Sequence, residues 1–228
     1  MAVKVGNMHQ ISERHSQVQE RIARACHHAG RDVGEITLIA VTKTWPPEIV
    51  EAALEAGLTD FGENKVQELI AKAPLFPTAN WHMIGHLQRN KARQVVAHAR
   101  EFHALDSLRL ANALNRHSEL AERVLPCFVQ VNVSGEDSKF GLRPPLVDDF
   151  MAQLRDLEHL RLIGLMTLAS PNVRRVREEF RLLRSIRSRY VHLGCQYLSM
   201  GMSGDFEIAI EEGATHVRVG SALFGPRR

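Results

Sequence analysis

The chain has 228 residues, 44% of them hydrophobic and 24% charged, and a formal net charge of +3. That length suits one large domain or two small ones, and that apolar share supports a full core. So small a charge does not predict nucleic-acid binding, and no apolar stretch approaches the roughly 20 residues of a membrane span. Residues 1–10 contain no apolar core of signal-peptide length. The three cysteines, Cys26, Cys127 and Cys195, are far apart and form no C-x-x-C pair. Free thiols in a reducing compartment follow, and the protein is expected to be cytoplasmic.

A first helix is predicted over residues 7–28, closing at Gly30. The run Leu38-Ile39-Ala40-Val41 then has the pattern of a strand buried on both faces. Thr42-Lys43-Thr44-Trp45 follows, and Pro46-Pro47 opens a helix, proline being tolerated in a first turn. Lys43 therefore sits at the C-terminal end of a buried strand. A lysine held there and partly desolvated has a lowered pKa and can condense with a carbonyl. The alternative is a lysine whose stem lies along the apolar surface while its amine reaches solvent.

The same alternation continues to the end of the chain. Strands are predicted at 38–41, 59–62, 81–85, 101–104, 127–133, 161–166, 197–199 and 216–219. Helices are predicted at 47–56, 65–72, 88–97, 108–121, 145–157, 173–190 and 206–212, with a last turn at 221–224. Gly57 and Gly213 close two of these helices. The helix over 173–190 carries seven arginines between Arg174 and Arg189. Its apolar residues recur at spacings of three and four, so the arginines form a solvated outer face.

Strands and helices alternating in this way give parallel strands joined by crossover helices. An open doubly wound sheet competes with a closed (β/α)8 TIM barrel. Eight strands favour the barrel, and no Gly-rich dinucleotide fingerprint follows the first strand. The expected fold is α/β: a single barrel domain over residues 1–228 with an extra N-terminal helix.

Such a barrel carries its site at the C-terminal strand ends, commonly with a phosphate site after strands seven and eight. Ser199-Met200-Gly201-Met202-Ser203-Gly204-Asp205 and Arg218-Val219-Gly220-Ser221 occupy those positions. Glycine admits an anion close to the backbone, and helix N-terminal amides point at it. Either segment alone reads as an ordinary turn; the two together point to a phosphate site. Arg218 faces opposite to Val217 and Val219. If it faces the barrel mouth it needs a partner, because an unpaired buried guanidinium is costly. A heterocycle nitrogen, a phosphate, or a carboxylate such as Glu63 or Asp205 would serve. A strand-one lysine, a phosphate cup and an arginine together describe a site for pyridoxal 5′-phosphate.

Other constellations carry less. His82 and His86 are four apart, but on a strand and loop with no acidic third ligand close in sequence, so no metal site is expected. Asp148-Asp149 and Glu211-Glu212 read as helix-surface pairs. No G-x-S-x-G elbow or P-loop is present, and no residue is assigned a catalytic role.

The chain resembles the pyridoxal phosphate homeostasis proteins, a family related to the N-terminal barrel domain of alanine racemase. The likeness is carried by Ala40-Val41-Thr42-Lys43, Phe61-Gly62-Glu63-Asn64 and Trp81-His82-Met83-Ile84-Gly85-His86-Leu87-Gln88-Arg89-Asn90-Lys91. It continues through Gly164-Leu165-Met166, Leu198-Ser199-Met200-Gly201-Met202-Ser203 and Val217-Arg218-Val219-Gly220-Ser221. Each motif is weak; their order and spacing along the chain make the match specific. The resemblance implies that Lys43 holds the cofactor in a Schiff base and that Asn64 lies near the ring. It implies that Ser199, Gly201, Met202, Ser203, Gly220 and Ser221 surround the phosphate. Arg218 falls where the family's arginine approaches the pyridine nitrogen, which leaves the ring a poorer electron sink.

The chain departs from the family's usual pattern at Trp45, where a second lysine is common, at Lys65, where tyrosine is common, and at His86, where proline is common. Lys139 matches another family lysine and could take part in cofactor exchange. The implied function is intracellular buffering or delivery of pyridoxal phosphate, with cofactor-dependent apoenzymes as recipients; the alternative is a racemase or decarboxylase of low activity. The chain ends at Arg228, without the β domain that gives alanine racemase its second acid/base tyrosine, and its tyrosines are Tyr190 and Tyr197. Two-base racemisation needs proton donors on both faces of the substrate. A carrier is therefore expected, as a monomer.

Overall fold

The computed structural model describes residues 2–226, with side chains from residue 9 onward. Helix α1 (Ala2–Ala29) precedes eight strand–helix units. They are β1 (Thr37–Val41), α2 (Pro47–Glu55), β2 (Asp60–Glu63), α3 (Val66–Lys72), β3 (Asn80–Met83) and α4 (Ala92–His98). Then come β4 (Glu101–Leu105), α5 (Leu108–Leu120), β5 (Leu125–Gln130), α6 (Val147–Gln153) and β6 (Leu160–Met166). The chain closes with α7 (Val173–Ser188), β7 (Tyr197–Met202), α8 (Phe206–Glu211), β8 (His216–Val219) and α9 (Ser221–Phe224). The strands pair in parallel, each with the next, and β8 returns to β1. The sheet is a closed barrel, as the count of eight strands predicts.

Local chemistry explains the boundaries. Pro47 occupies the first helical position of α2, where its missing N–H costs nothing. Gly57 and Gly213 take φ of +87° and +98° just after α2 and α8, a conformation that suits glycine. Strand five ends three residues before the predicted limit. The side chain of Asn132 accepts from the Gly135 N–H at 3.1 Å and donates to the carbonyls of Glu136 and Lys139 at 2.8 and 3.2 Å. These local bonds fold the chain into a loop instead of extending the ladder. Strand seven, by contrast, runs three residues past its predicted end, to Met202.

Helix α1 packs outside the barrel against α2, α8 and α9, across the junction of β8 and β1. Ile11, Val18, Ile22, Ala25 and Cys26 form its buried stripe, and Arg21 makes a two-bonded pair with Glu207 at 2.6 and 2.9 Å. On α7 the apolar stripe Val176, Phe180, Leu183 and Ile186 is buried, as its spacing predicts. Three of its arginines, Arg177, Arg181 and Arg184, converge on Glu212 at 2.8, 3.1 and 3.3 Å. That part of the arginine face is therefore paired within the chain. Among the described residues the three cysteines are buried and free, and no helix is long and apolar enough to cross a membrane.

Candidate functional site

The site starts from a tight turn at the end of β1. The Thr42 N–H still donates to the Gly62 carbonyl at 3.2 Å, and the Trp45 N–H donates back to the Thr42 carbonyl at 3.0 Å. Lys43 and Thr44 form the corner. Thr44 has φ of +68°, which costs a β-branched residue about 1–3 kcal/mol. The Glu68 carboxylate holds it by accepting from the Thr44 N–H at 2.6 Å.

Beneath the corner lies a buried ion pair. Lys72 Nζ donates to the Thr42 carbonyl at 2.8 Å, to Glu63 Oε1 at 2.7 Å and to Glu68 Oε2 at 3.2 Å. The Thr42 hydroxyl also donates to Glu63 Oε1, at 2.7 Å. Burial pushes the Glu63 carboxyl up to about 7, against the pull of Lys72 and Thr42. Glu63 is thus committed to Lys72 and is not the partner of Arg218. This network braces the turn from which the half-buried Lys43 projects.

Lys43 opens into a cavity of about 780 Å³ at the C-terminal ends of the strands. Its lining includes Lys43, Asn64, Met202, Ser203, Arg218, Gly220 and Ser221, seven of the nine residues predicted from sequence. Ser199 and Gly201 lie outside that lining. Ser199 is fully buried beneath Arg218, accepting from its Nη1 at 2.7 Å. Gly201, with φ of +93°, lies against α8, where a Cβ would come within 2.6 Å of the Ala209 Cβ. Lys65 and Lys139 also line the cavity, which has no carboxylate among its lining residues. Four basic side chains make it a cavity for an anion.

Beside the β1 end that carries Lys43, the ends of β8 and β7 follow in the barrel. Ser203 Oγ accepts from the N–H groups of Gly220 and Ala222 at 3.2 and 3.3 Å. Two amides thus converge on one oxygen at the start of α9, the arrangement that binds an anion's oxygen. Asp205 accepts from the Met202 N–H at 2.6 Å and fixes the loop.

Arg218 is buried, and its partners are neutral: Ser199 Oγ on Nη1 and the Thr167 carbonyl on Nη2, both at 2.7 Å. No described carboxylate lies within ion-pair distance of it. Burial lowers its pKa to about 10, so it stays protonated near neutral pH.

The third side of the mouth is the loop after β5. Phe140 is 55% exposed and stacks on His86, with ring centroids 3.9 Å apart and 10° between planes. Lys139 donates to the Ala169 carbonyl at 3.0 Å and pairs with Glu136 at 2.9 Å. Trp45 turns away from the cavity and packs near Phe224, with centroids 6.2 Å apart. The two tyrosines lie elsewhere: Tyr190 bonds Asp148, and Tyr197 sits beside His216.

Sequence reasoning missed Lys72, the Thr167 carbonyl and Phe140. Lys72 carried one signal, its i,i+4 spacing from Glu68 on α3, but nothing along the chain announced Glu63 as its main partner.

Residues 15–228 match the family described as alanine racemase, N-terminal domain. A protein of Pseudomonas aeruginosa called pyridoxal phosphate homeostasis protein is 42% identical over 224 residues, covering 96% of this chain and 97% of that protein. A crystal structure of a Bifidobacterium adolescentis protein superposes with a TM-score of 0.90 at 33% identity, covering 96% of both chains. The structure of PipY from Synechococcus elongatus with PLP bound superposes with a TM-score of 0.82 at 32% identity, covering 94% of this chain and 100% of that one.

Proposed function

This chain belongs to the pyridoxal phosphate homeostasis protein family, and we propose that it holds pyridoxal 5′-phosphate at the barrel mouth and buffers or delivers it. The observation that carries this reading is Lys43 in the lining of a cationic cavity, with the Gly220 and Ala222 amides converging on the Ser203 hydroxyl at the adjoining strand ends. Pyridoxal phosphate supplies an aldehyde that condenses with a primary amine, and a phosphate that seeks amides and hydroxyls. The donor set fits both ends.

Lys43 is the covalent tether. Ser203, Ser221 and the amides of Gly220 and Ala222 receive the phosphate. Met202 closes that end, while Gly201 brings β7 close to α8 and Ser199 steadies Arg218 from below. Arg218 and Asn64, both in the cavity lining, would hold the ring, Arg218 by its nitrogen. A guanidinium with a pKa of about 10 does not give up its proton as a carboxylic acid would. That choice of partner suits holding a cofactor over driving carbanion chemistry on it. The whole chain, residues 1–228, acts as one monomeric binding domain in the cytoplasm, with apoenzymes that need the cofactor as recipients.

The test is borohydride reduction of the loaded protein followed by peptide mapping. The pyridoxyl group is expected on Lys43, and Lys43→Ala is expected to lose both the label and the visible absorbance. A Lys43→Ala protein that keeps the same spectrum and stoichiometry would overturn the assignment.

A further inference from the structure

The N-terminal half of the barrel is polar, and the cavity at the mouth makes little use of it. A (β/α)8 barrel ordinarily fills its interior with layers of branched apolar side chains. Here β2, β3, β4 and β8 bring together Asp60, His82, Glu101, His103 and His216. His82, His103 and His216 are buried, and the Glu101 side chain is 13% exposed. Charged groups at such depth are paired or hold metals.

Three donor atoms converge there. His82 Nδ1 is 3.1 Å from Glu101 Oε2 and 3.3 Å from His103 Nε2, and His103 Nε2 is 3.2 Å from Glu101 Oε2. Donors held tetrahedrally about 2.0–2.1 Å from zinc lie about 3.3–3.4 Å from one another. The three atoms therefore outline one face of such a tetrahedron. His216 Nε2 lies 3.7 Å from Glu101 Oε2, beside the triad but outside it.

The far sides of the two rings are also engaged. His82 Nε2 lies 3.0 Å from Asp60 Oδ1, and His103 Nδ1 lies 2.9 Å from Ser199 Oγ. With those outer N–H groups donated to oxygen, both inner nitrogens present lone pairs to the same point. Outer-shell oxygens on ligating histidines orient the rings in this way. Two carboxylates, Asp60 and Glu101, then offset a divalent charge.

We propose that His82, Glu101 and His103 bind a divalent transition-metal cation, with zinc the best match to two imidazoles and a carboxylate. Water completes the shell. The site is distinct from the mouth but joined to it, because Ser199 bridges His103 and Arg218. A bound cation would fix Ser199 and, through it, Arg218.

The experiment takes chelator-treated full-length protein through equilibrium dialysis against zinc, with elemental analysis, and through cobalt(II) titration followed by visible absorption. Retention of about one equivalent per chain and the intense bands of four-coordinate cobalt are expected. Glu101→Gln and His103→Gln should abolish retention, and Asp60→Asn should weaken it about 10–100-fold. His9→Gln, a change at an exposed histidine, should leave it unchanged. Circular dichroism checks that each variant folds; should the two ligand variants fail to fold, Asp60→Asn, at a partly exposed position, still decides between the outcomes. Stripped wild-type protein that takes up no metal overturns the proposal and leaves a cluster held by ion pairs alone. Uptake equal in wild type and Asp60→Asn overturns it too, by moving the metal to other histidines.

Discussion

Replacing Lys72 with methionine keeps most of the aliphatic stem and removes the ammonium under the Lys43 turn. Three bonds vanish, to the Thr42 carbonyl, Glu63 and Glu68. Removing one partner of a buried ion pair costs about 3–5 kcal/mol, mostly through the stranded charge. Glu63 can shed its charge by protonation, since burial already pushes it up to about 7, so the low end applies, about 3 kcal/mol near neutral pH. For a chain of this size each kcal/mol moves Tm by about 2–4 °C, giving a fall of about 6–12 °C.

The pH dependence has a definite sign. The folded pKa of Glu63 is raised above its ordinary value of 4.5, so between 4.5 and about 7 the native state binds the extra proton. The stability this group contributes is full below that window and is lost as pH rises through it. Without Lys72 the folded pKa climbs further, and the window extends upward. The loss in Lys72→Met should therefore be larger at pH 8 than at pH 5. Thermal melts and urea titrations at both values measure it, with borohydride labelling of Lys43 as a check on the turn. A loss below about 1 kcal/mol at pH 8, or a larger loss at pH 5, would show that the pair does not brace the turn.

Gly201→Ala brings a Cβ to 2.6 Å from the Ala209 Cβ at φ of +93°, and should cost about 2–4 kcal/mol in urea unfolding, together with weaker retention of the phosphate end. Phe140→Ala removes the stack on His86 at the cavity mouth, worth about 0.5–1.5 kcal/mol. Release of bound pyridoxal phosphate to an excess of scavenger should quicken by up to about tenfold; an unchanged rate would mean that the stack does not cover the ligand.

Much of this protein is legible along its chain. The eight strands announce themselves as short apolar runs, and prolines and glycines mark where helices begin and end. Lys43 and the two glycine–serine segments could be assigned to strand ends because the barrel's topology follows from the repeat. These signals are local: apolar periodicity and turn chemistry act over a few residues. Boundaries slipped where side chains compete with the ladder, as Asn132 does at the end of β5.

The pairings belong to the tertiary structure. The sequence offered Glu63 as a partner for Arg218; the fold gives it Lys72 and gives Arg218 neutral oxygens. Ser199 and Gly201 share a motif with Met202 and Ser203, yet the pleat puts Ser199 beneath the cavity and Gly201 against α8. His82 and His86 suggested a pair by their spacing of four. In the fold His86 stacks on Phe140 at the mouth, while His82 points into the opposite half of the barrel. Its true neighbour across the sheet is Glu101, aligned with it in the β3–β4 register. Spacing along a chain reports which residues share a face of one element. Only the register of neighbouring strands, set when the barrel closes, decides which side chains from different elements meet inside it.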